Sequence, residues 1–361
     1  MPFKREKLPI FLLGLILLVG NGVILLWPHD DMTILDVVGP EVPGTYKHAS
    51  SACELASGEI LLAYYSGSGE YGNDTAIFGT QLNRSTNRWS PPRVIADAEG
   101  KAEGNPALWR SPKGDIWLFY PVRQGETWST ATLSAKVSTD DGRTWENADT
   151  PNDQPGLMTR ARPITLSNGG CLLPLDFNPS TDTEFVSEES GSLFCLSDAS
   201  LETWEKTEII PSRLGNHQPA VAAVDDEYLI AYCRRGGDYL GREDGFLVRT
   251  ESHDGGHTWS PGKETAFPNP NSPVDFVRLH SGNLLLAYNN SSFHRSLLSV
   301  ALSTDHGQSF PHRQDIISGE KAYSYPCILQ TQDGTIHLFF TAGARSHIKY
   351  ATLSEDDLLA N

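Results

Sequence analysis

Residues 138–145 read STDDGRTW, and the same eight-residue pattern returns at residues 252–259 (SHDGGHTW) and 303–310 (STDHGQSF). Degenerate copies start at residues 82 and 197, so the five copies begin 51 to 59 residues apart. A nearly constant period of this size indicates a chain built from repeated supersecondary units. The repeat is therefore the main sequence evidence for the fold.

A second repeat alternates with these turns: a short apolar strand, a polar turn that usually contains glycine, and another apolar strand. Examples are GNPALWRSPKGDIWLFYP at residues 104–121 and SYPCILQTQDGTIHLFFT at residues 324–341. Proline opens five of the six copies, at residues 106, 163, 219, 273 and 326, and Ala49 stands in that place in the first. Six units of about four short strands predict an all-β, six-bladed β-propeller over residues 45–357. A β-sandwich would not need such even spacing.

The eight-residue turn itself is expected to be structural. Its aspartate accepts hydrogen bonds from nearby backbone N–H groups, and its glycine allows a positive φ. The closing Trp or Phe is expected to bury its ring between strands. The chemistry of the protein must then lie elsewhere in the repeat.

The N-terminus differs from the rest of the chain. Lys4, Arg5 and Lys7 precede a mainly apolar run at residues 9–27, which is about long enough to cross a bilayer. We expect a short cytosolic tail (residues 1–8), a transmembrane signal anchor (residues 9–27), a linker (residues 28–44) and an extracytoplasmic propeller. The alternative is a cleaved signal peptide and a secreted protein.

The net charge and composition of the chain limit the classes of ligand that it is expected to bind. The formal net charge is −17, and no run of Lys or Arg follows the N-terminus, which argues against nucleic acid. The histidines show no recurrent ligand spacing, so we expect no metal ion and no cofactor. An anionic ligand would need a local cluster of arginines.

The repeat also predicts which residues meet in a pocket. In a propeller the innermost strands surround a central channel, and their starts converge on one face. The residues just before the repeated proline, or before Ala49, form a predicted polar ring: His48, Asn105, Arg162, Gln218, Ser272 and Tyr325. Further polar candidates flank it: Glu70, Asp74, Glu103, Arg234, Arg235 and Arg295. The alternative is that the ring residues face solvent at the strand starts.

The SxDxGxTW turns resemble the Asp boxes of the sialidase (neuraminidase) superfamily, over about residues 45–354. The likeness is greatest to bacterial sialidase-like proteins with BNR repeats. The resemblance implies a Tyr nucleophile assisted by a Glu, an Asp acid/base and three arginines that bind the substrate carboxylate. Sialidases depart in this way from the usual pair of catalytic carboxylates.

The resemblance can be carried over residue by residue only in part. Tyr325 matches the nucleophile, and Asp74 or Glu70 matches the acid/base. Arg295 matches one carboxylate-binding arginine, and Arg234 or Arg235 matches another. His48 stands where the family has its first arginine, and Gln218 stands where it has the assisting Glu. Glu103, in the adjacent blade, is a possible substitute for that Glu.

Three alternative functions are compatible with these sequence features. The first is a membrane-anchored exo-glycosidase that releases a terminal anionic sugar, sialic acid or a similar one, through Tyr325. The second is a polysaccharide lyase acting on uronic-acid glycans, with His48 and Tyr325 abstracting a proton. The third is a propeller that binds glycans without catalysis, which the replaced Glu and first arginine favour. Fold alone does not decide among them.

Overall fold

The computed structural model describes residues 16–19, 22–25, 32–151, 153–179, 185–319 and 322–360. The predicted membrane segment, residues 9–27, lies largely outside these ranges. Its described parts are two strands, β1 (Ile16–Val19) and β2 (Gly22–Leu25), which pair antiparallel. Within the described ranges, no helix combines the length and apolar character needed to cross a membrane. Membrane anchoring therefore stays a prediction.

Residues 34–360 form six antiparallel sheets, which confirms the predicted six-bladed β-propeller. The strand before the first blade is β3 (Ile34–Val38). Blade 1 contains β4 (Tyr46–Glu54), β5 (Ile60–Gly67), β6 (Ala76–Asn83), β7 (Arg88–Trp89) and β8 (Arg93–Ala96). Blade 2 contains β9 (Ala102–Glu103), β10 (Ala107–Arg110), β11 (Ile116–Arg123), β12 (Thr132–Ser138) and β13 (Glu146–Ala148). Blade 3 contains β14 (Leu157–Thr159), β15 (Ile164–Thr165), β16 (Cys171–Phe177), β17 (Gly191–Ser197) and β18 (Trp204–Lys206).

The last three blades each have four strands, and two short helices complete the structure. The strands are β19 (Asn216–Ala223), β20 (Leu229–Arg235), β21 (Phe246–Ser252) and β22 (Lys263–Pro268); β23 (Asp275–Arg278), β24 (Leu284–Asn289), β25 (Leu297–Ser303) and β26 (His312–Ser318); and β27 (Ser324–Gln330), β28 (Ile336–Ala342) and β29 (His347–Leu353), joined by β3. A 3-10 helix spans Trp128–Thr130 and an α-helix, α1, spans Glu355–Ala360.

The core lies between neighbouring blades. Leu61 and Ile77 of blade 1 pack with Leu108 and Leu118 of blade 2, and the same arrangement continues around the ring. Each sheet is therefore covered on both faces, which explains why several of the middle strands are buried along their whole length.

The ring of blades is closed by a strand from the beginning of the chain. β3 pairs with β29, opposing Leu35 to Tyr350, and so forms the outer strand of blade 6. The predicted linker of residues 28–44 contains this strand. Val38 is fully buried in the cluster between blades 6 and 1, with Tyr64 and Ile348. N- and C-terminal segments thus share one sheet, which leaves no unpaired gap between first and last blades.

We expect Val38→Asp to destabilise the propeller by more than about 4 kcal/mol, because it buries an unpaired carboxylate in this closure. Leu35→Asp is the matched control: Leu35 lies in the same strand but is 42% exposed, so its effect should stay within about 0.5 kcal/mol. Chemical denaturation monitored by tryptophan fluorescence would measure both. Equal stabilities for the two variants would contradict the closing role of β3.

The eight-residue turn is structural in the way the sequence predicts. In the copy at residues 138–145, Asp140 accepts hydrogen bonds from the Thr144 amide (2.8 Å) and hydroxyl (2.6 Å) and from the Ser138 hydroxyl (2.8 Å). Gly142 has a φ of +76°, and a Cβ there would lie 3.0 Å from a leucine of blade 1. The Trp145 ring packs against the cluster between blades 1 and 2. The turns therefore seal adjacent blades together.

Candidate active site

Five blades have a residue of positive φ at or near the start of the inner strand. These residues are Ala49 (+48°), Asn105 (+29°), Gln218 (+50°), Asn271 (+56°) and Tyr325 (+57°). A residue other than glycine adopts this conformation at a cost, and such residues concentrate at functional sites. In all of these blades but blade 5, the residue of positive φ lies five residues before the last paired residue of the inner strand, which identifies the equivalent positions of the inner ring.

The pairing register of the inner strands corrects two members of the predicted ring. The pairing of β4 with β5 is interrupted just after His48, as the pairings of blades 4 and 6 are interrupted just after His217 and Ser324. His48 is therefore equivalent to His217, and Ala49 is equivalent to Gln218 and Tyr325. In blade 5 the positive φ is at Asn271, but the pairing of Arg278 with Leu284 makes Pro273 the equivalent of Gln218 and Tyr325, one residue after the predicted Ser272. Aligning the repeats on proline therefore shifted the ring position by one residue in blades 1 and 5.

Asn105, Gln218 and Tyr325 line one pocket, as the ring predicts. Polar side chains from other elements join them, among them Glu70, Asp176, His217 and Arg234. A larger groove lies between blades 3 and 4 beside Trp204 and His257, but it contains none of the predicted residues. The pocket at Tyr325 is therefore the candidate active site.

Tyr325 lines this pocket and is only 5% exposed. Its phenolic oxygen faces two hydrogen-bond donors: Arg234 Nη1 at 3.3 Å and Gln218 Nε2 at 3.5 Å. The guanidinium of Arg160 lies 5.0 Å from the centre of its ring, and the His48 ring packs at 4.0 Å. Both donors favour the phenolate form of the oxygen they face.

The electrostatic field at Tyr325 is positive. Burial alone would raise the pKa of its phenol, but Arg234, Arg295 and Arg345 more than offset this and lower the pKa below the usual 10. Glu70 acts in the opposite direction. The site therefore activates the phenol by surrounding cations, and the neutral Gln218 amide cannot accept its proton.

Of the two adjacent arginines, Arg234 is the one at the pocket. It donates to Gln218 Oε1 (2.8 Å) and Asn271 Oδ1 (2.5 Å) as well as to the phenol of Tyr325. Arg235 points elsewhere: it donates to the carbonyl oxygens of Asn269, Asp238 and Leu240. Arg235 therefore holds the loop after β20 and takes no part in lining the pocket.

Arg345 was not among the predicted residues. It lies in the turn between β28 and β29, forms an ion pair with Glu70, and donates to the Tyr46 hydroxyl at 2.5 Å. Arg295 comes from the segment before β25 and donates to the Asn271 carbonyl oxygen. Three arginines of blades 4, 5 and 6 thus approach the same tyrosine.

The predicted acid/base candidates differ in position. Glu70 lines the pocket and accepts a hydrogen bond from Tyr46 at 3.0 Å. Asp74 is exposed and accepts bonds from the Ser68 hydroxyl (2.7 Å) and amide (3.1 Å). These bonds lower the pKa of Asp74, which makes it a poor proton donor at neutral pH. Of the two, only Glu70 borders the pocket.

Two other carboxyl groups, those of Asp176 and Glu103, are buried. Asp176 of β16, which sequence reasoning missed, is buried at the pocket and accepts hydrogen bonds from the backbone N–H of Gln218 (3.2 Å) and from the side-chain amide of Asn178 (2.9 Å). Glu103 is fully buried and accepts a bond from the Ala98 amide, and burial raises its pKa to about 7. Glu103 does not line the pocket beside Tyr325.

His48 and Arg162 are also displaced from their predicted roles. His48 is fully buried, its Nδ1 lies 3.0 Å from the Thr341 hydroxyl, and burial followed by the nearby arginines holds its pKa well below 6.5. Arg162 donates to the carbonyl oxygens of Ala52 and Ile328 and lines a separate cleft beside Asp275. Neither borders the pocket at Tyr325.

Comparison with known proteins identifies the family of the chain. The family described as the BNR repeat-like domain matches residues 58–338. The chain belongs to this sialidase-like BNR family. Among curated proteins, no sequence matches significantly.

Solved structures of sialidases share the fold of this BNR propeller. The Hadza microbial sialidase is 18% identical, with a TM-score of 0.72 over 87% of this chain and 66% of its own. The NanB sialidase of Streptococcus pneumoniae is 12% identical, with a TM-score of 0.71 over 91% and 71%. The intramolecular trans-sialidase of Ruminococcus gnavus is 14% identical, with a TM-score of 0.70 over 91% and 98%. Likeness at such identities shows the fold alone.

The BNR propeller offers no grouped metal ligands in the part of the chain that the structure describes. The pocket instead combines the buried phenol of Tyr325, the guanidinium of Arg234 and the carboxylates of Glu70 and Asp176, and Arg345 pairs with Glu70. Such an arrangement is suited to an anionic ligand and to nucleophilic attack by an oxygen.

Proposed function

We propose that this protein is an exo-glycosidase of the sialidase type that releases a terminal sugar carrying a carboxylate. The observation that carries the proposal is Tyr325, whose buried oxygen faces Arg234 and Gln218 and whose pKa is lowered by three arginines. A phenolate among cations is a nucleophile that an anionic sugar can approach, whereas a carboxylate nucleophile would repel it.

In the proposed reaction, the oxygen of Tyr325 attacks the anomeric carbon and the bond to the aglycone oxygen breaks. The aglycone oxygen keeps the bonding electrons and takes up a proton. Water then attacks the anomeric carbon of the glycosyl-tyrosine, and the phenolate leaves. The surrounding guanidinium groups stabilise the phenolate when it attacks and again when it leaves. This stabilisation takes the place of the carboxylate base that is missing at residue 218.

Substrate binding is proposed to rely on the same cations. Arg234 and Arg295 are held by Asn271, through its side-chain and backbone oxygens respectively, so both guanidinium groups are oriented before a ligand arrives. Burial lowers the pKa of Arg295 to about 10, so it remains charged at neutral pH. Preorganised guanidinium groups bind carboxylates more tightly than flexible ones.

A non-catalytic glycan-binding propeller is the second candidate, because Gln218 cannot act as a base. It would bind the same sugar without cleaving it. The lyase hypothesis has less support, since His48 is buried behind Tyr325 and does not border the pocket. Abstraction of a substrate proton by His48 would require the site to rearrange.

The test of the proposed function is a product assay with the purified protein. A fluorogenic aryl α-sialoside should release its aryl alcohol together with free sugar acid, and a uronate-capped oligosaccharide should give no unsaturated, ultraviolet-absorbing product. Saturable binding of the sialoside without release would favour the second candidate. An unsaturated product would restore the lyase hypothesis.

We also propose that residues 9–27 anchor the protein in a membrane with the propeller on the extracytoplasmic side, where complex glycans occur. The support is the length and apolar character of this run and the basic residues before it. Retention in the membrane fraction after alkaline washing, with the propeller accessible to protease from the outside, would agree. Release of a shortened chain into the medium would indicate cleavage instead.

A further inference from the structure

The inner strand of blade 6, β27, carries Tyr325 and has one edge without a strand partner. Within the described chain it pairs only with β28, so its other edge faces the central channel. Backbone groups on such an edge need partners from elsewhere. Side chains of blades 3 and 5 supply them: Arg160 donates to the Pro326 carbonyl oxygen (2.6 Å), and Asp275 accepts a hydrogen bond from the Ile328 backbone N–H (2.6 Å). Charged side chains therefore hold the channel edge of this strand.

Arg160 occupies the position in blade 3 that Tyr325 occupies in blade 6. It directly follows the last residue of β14 that pairs with β16, just as Tyr325 directly follows the paired Ser324. It also lies five residues before Thr165, the last paired residue of its inner strand, as Tyr325 lies five residues before Gln330. Equivalent residues of different blades are directed towards the same axis, so these two side chains can meet across the channel.

The Arg160 and Tyr325 side chains are in contact. The guanidinium carbon lies 5.0 Å from the centre of the tyrosine ring, which is the geometry of a cation–π interaction. The same guanidinium bonds the carbonyl oxygen of Pro326, the next residue. Tyr325 has a φ of +57°, and an unfavourable backbone conformation persists only where its surroundings maintain it. Arg160 thus holds both the ring of Tyr325 and the backbone that follows it.

The charge of Arg160 is deeply buried. Arg160 is 2% exposed and Asp275 is 3% exposed. Burial lowers the pKa of Arg160, which Asp275 partly offsets, and burial raises the pKa of Asp275 despite the nearby Arg160 and Arg162. Buried charges of this kind often contribute no more to stability than apolar side chains of similar size. The contacts of Arg160 with Tyr325 therefore explain its presence better than a gain in stability does.

We propose that Arg160 is a positioning residue, which holds the ring and backbone of Tyr325 so that the phenolic oxygen faces Arg234 and Gln218. This inference rests on the proposed function, in which that oxygen attacks the substrate. Arg160 does not line the pocket, so it acts on the reaction only through Tyr325. A misplacement of a reacting atom by about 1 Å can lower a rate about 10²-fold, so a displaced phenol should have a large effect.

Arg162 offers a matched comparison two residues along the chain. It also belongs to blade 3 and donates to a carbonyl oxygen of β27, that of Ile328, and to that of Ala52. Its bond to β27 lies three residues beyond Tyr325, and its side chain lines the separate cleft beside Asp275. Loss of either arginine should disturb β27, whereas only loss of Arg160 should displace the phenol.

The direct test compares crystal structures of the unmodified full-length protein, Arg160→Met and Arg162→Met. Methionine keeps an unbranched apolar chain but has neither the charge nor the N–H donors of arginine. We expect the phenolic oxygen of Tyr325 to move away from Arg234 by about 1 Å or more in Arg160→Met, and to stay in place in Arg162→Met. A phenol that stays in place in Arg160→Met would overturn the positioning role.

Turnover gives a second readout. Arg160→Met should lower kcat for a fluorogenic aryl α-sialoside at least about 50-fold and change KM less than about 3-fold, because no group that lines the pocket is lost. Arg162→Met should change kcat less than about 3-fold. The number of sites that bind the uncleaved methyl α-thioglycoside of N-acetylneuraminic acid, measured by calorimetry, should be unchanged in both variants. A purely structural role of Arg160 would instead reduce the number of binding sites together with kcat.

Arg160→Lys keeps the charge and a donor, so it extends the test to a variant that should fold even if Arg160→Met does not. Lysine has no planar group that can cover the ring and bond Pro326 at once, so kcat should still fall about 5-fold while ligand binding is unchanged. Full activity of a folded Arg160→Lys protein, or equal losses of kcat in the two methionine variants, would overturn the inference.

The outcomes separate this inference from the function on which it rests. A displaced phenol in Arg160→Met, together with absence of sialoside cleavage by the unmodified protein, would overturn the glycosidase proposal and leave the hold of Arg160 on Tyr325 standing. Sialoside cleavage by the unmodified protein, together with an unmoved phenol in Arg160→Met, would do the reverse.

Discussion

Tyr325→Phe is expected to reduce sialoside turnover by at least about 10³-fold while leaving the fold and ligand affinity nearly unchanged. The change removes one oxygen, and that oxygen is the atom that Arg234 and Gln218 face at 3.3 and 3.5 Å. The ring contacts with His48 and Arg160 remain available to phenylalanine. The loss should therefore appear in kcat rather than in KM, measured with a fluorogenic aryl α-sialoside.

Tyr323→Phe provides the matched control. This residue lies two positions earlier, is only partly buried, and does not line the pocket. The same loss of a phenolic oxygen there should change kcat by less than about 2-fold, as for most substitutions outside a site. Retention of a tenth or more of the activity by Tyr325→Phe would rule out nucleophilic catalysis by this oxygen.

Arg234→Leu is expected to lower kcat/KM by about 10²-fold and to move the acid limb of the pH–activity profile to higher pH. Arg234 is the cation that contributes most to lowering the pKa of Tyr325. Without it the phenol keeps its proton to higher pH, so less phenolate is present near neutrality. Activity should then rise with pH over a range in which the unmodified protein has already reached its plateau.

Arg234→Lys separates charge from geometry. Lysine keeps the positive charge beside Tyr325 but cannot bridge Asn271, Gln218 and the phenol with one planar group. The acid limb of the pH–activity profile of Arg234→Lys should remain close to that of the unmodified protein, while its KM rises. An unchanged pH profile in Arg234→Leu would show that this arginine does not control ionisation of the nucleophile.

The blade architecture was predictable because it depends on local, repeated chemistry. The three well-preserved eight-residue turns close on their own Asp, Ser and Gly, and the bonds around Asp140 recur around Asp254 and Asp305. The period of the turns then counts the blades. The closing strand Ile34–Val38 was assigned to a linker, because a single outer strand that pairs with the far end of the chain carries no repeat signal.

The candidate site was predictable where the repeat marks it. Tyr325, Gln218 and Asn105 meet in the pocket because they begin equivalent inner strands. His48 and Ser272 were each misplaced by one residue, since the sequence alignment followed proline whereas the pairing register of the inner strands makes Ala49 and Pro273 the equivalents of Tyr325. Arg345 and Asp176 were missed because each occurs once, outside the repeated pattern.

The number of blades and the tyrosine that lines the pocket follow from spacings along one chain, and the family follows from the motif of the repeated turns. Which charges meet depends instead on the folded ring. Arg234 turns into the pocket and Arg235 away from it, although they are neighbours. Glu70 and Arg345 are 275 residues apart and form one ion pair. Contacts of this kind depend on the closure of the ring, where side chains from its first and last blades come within bonding distance.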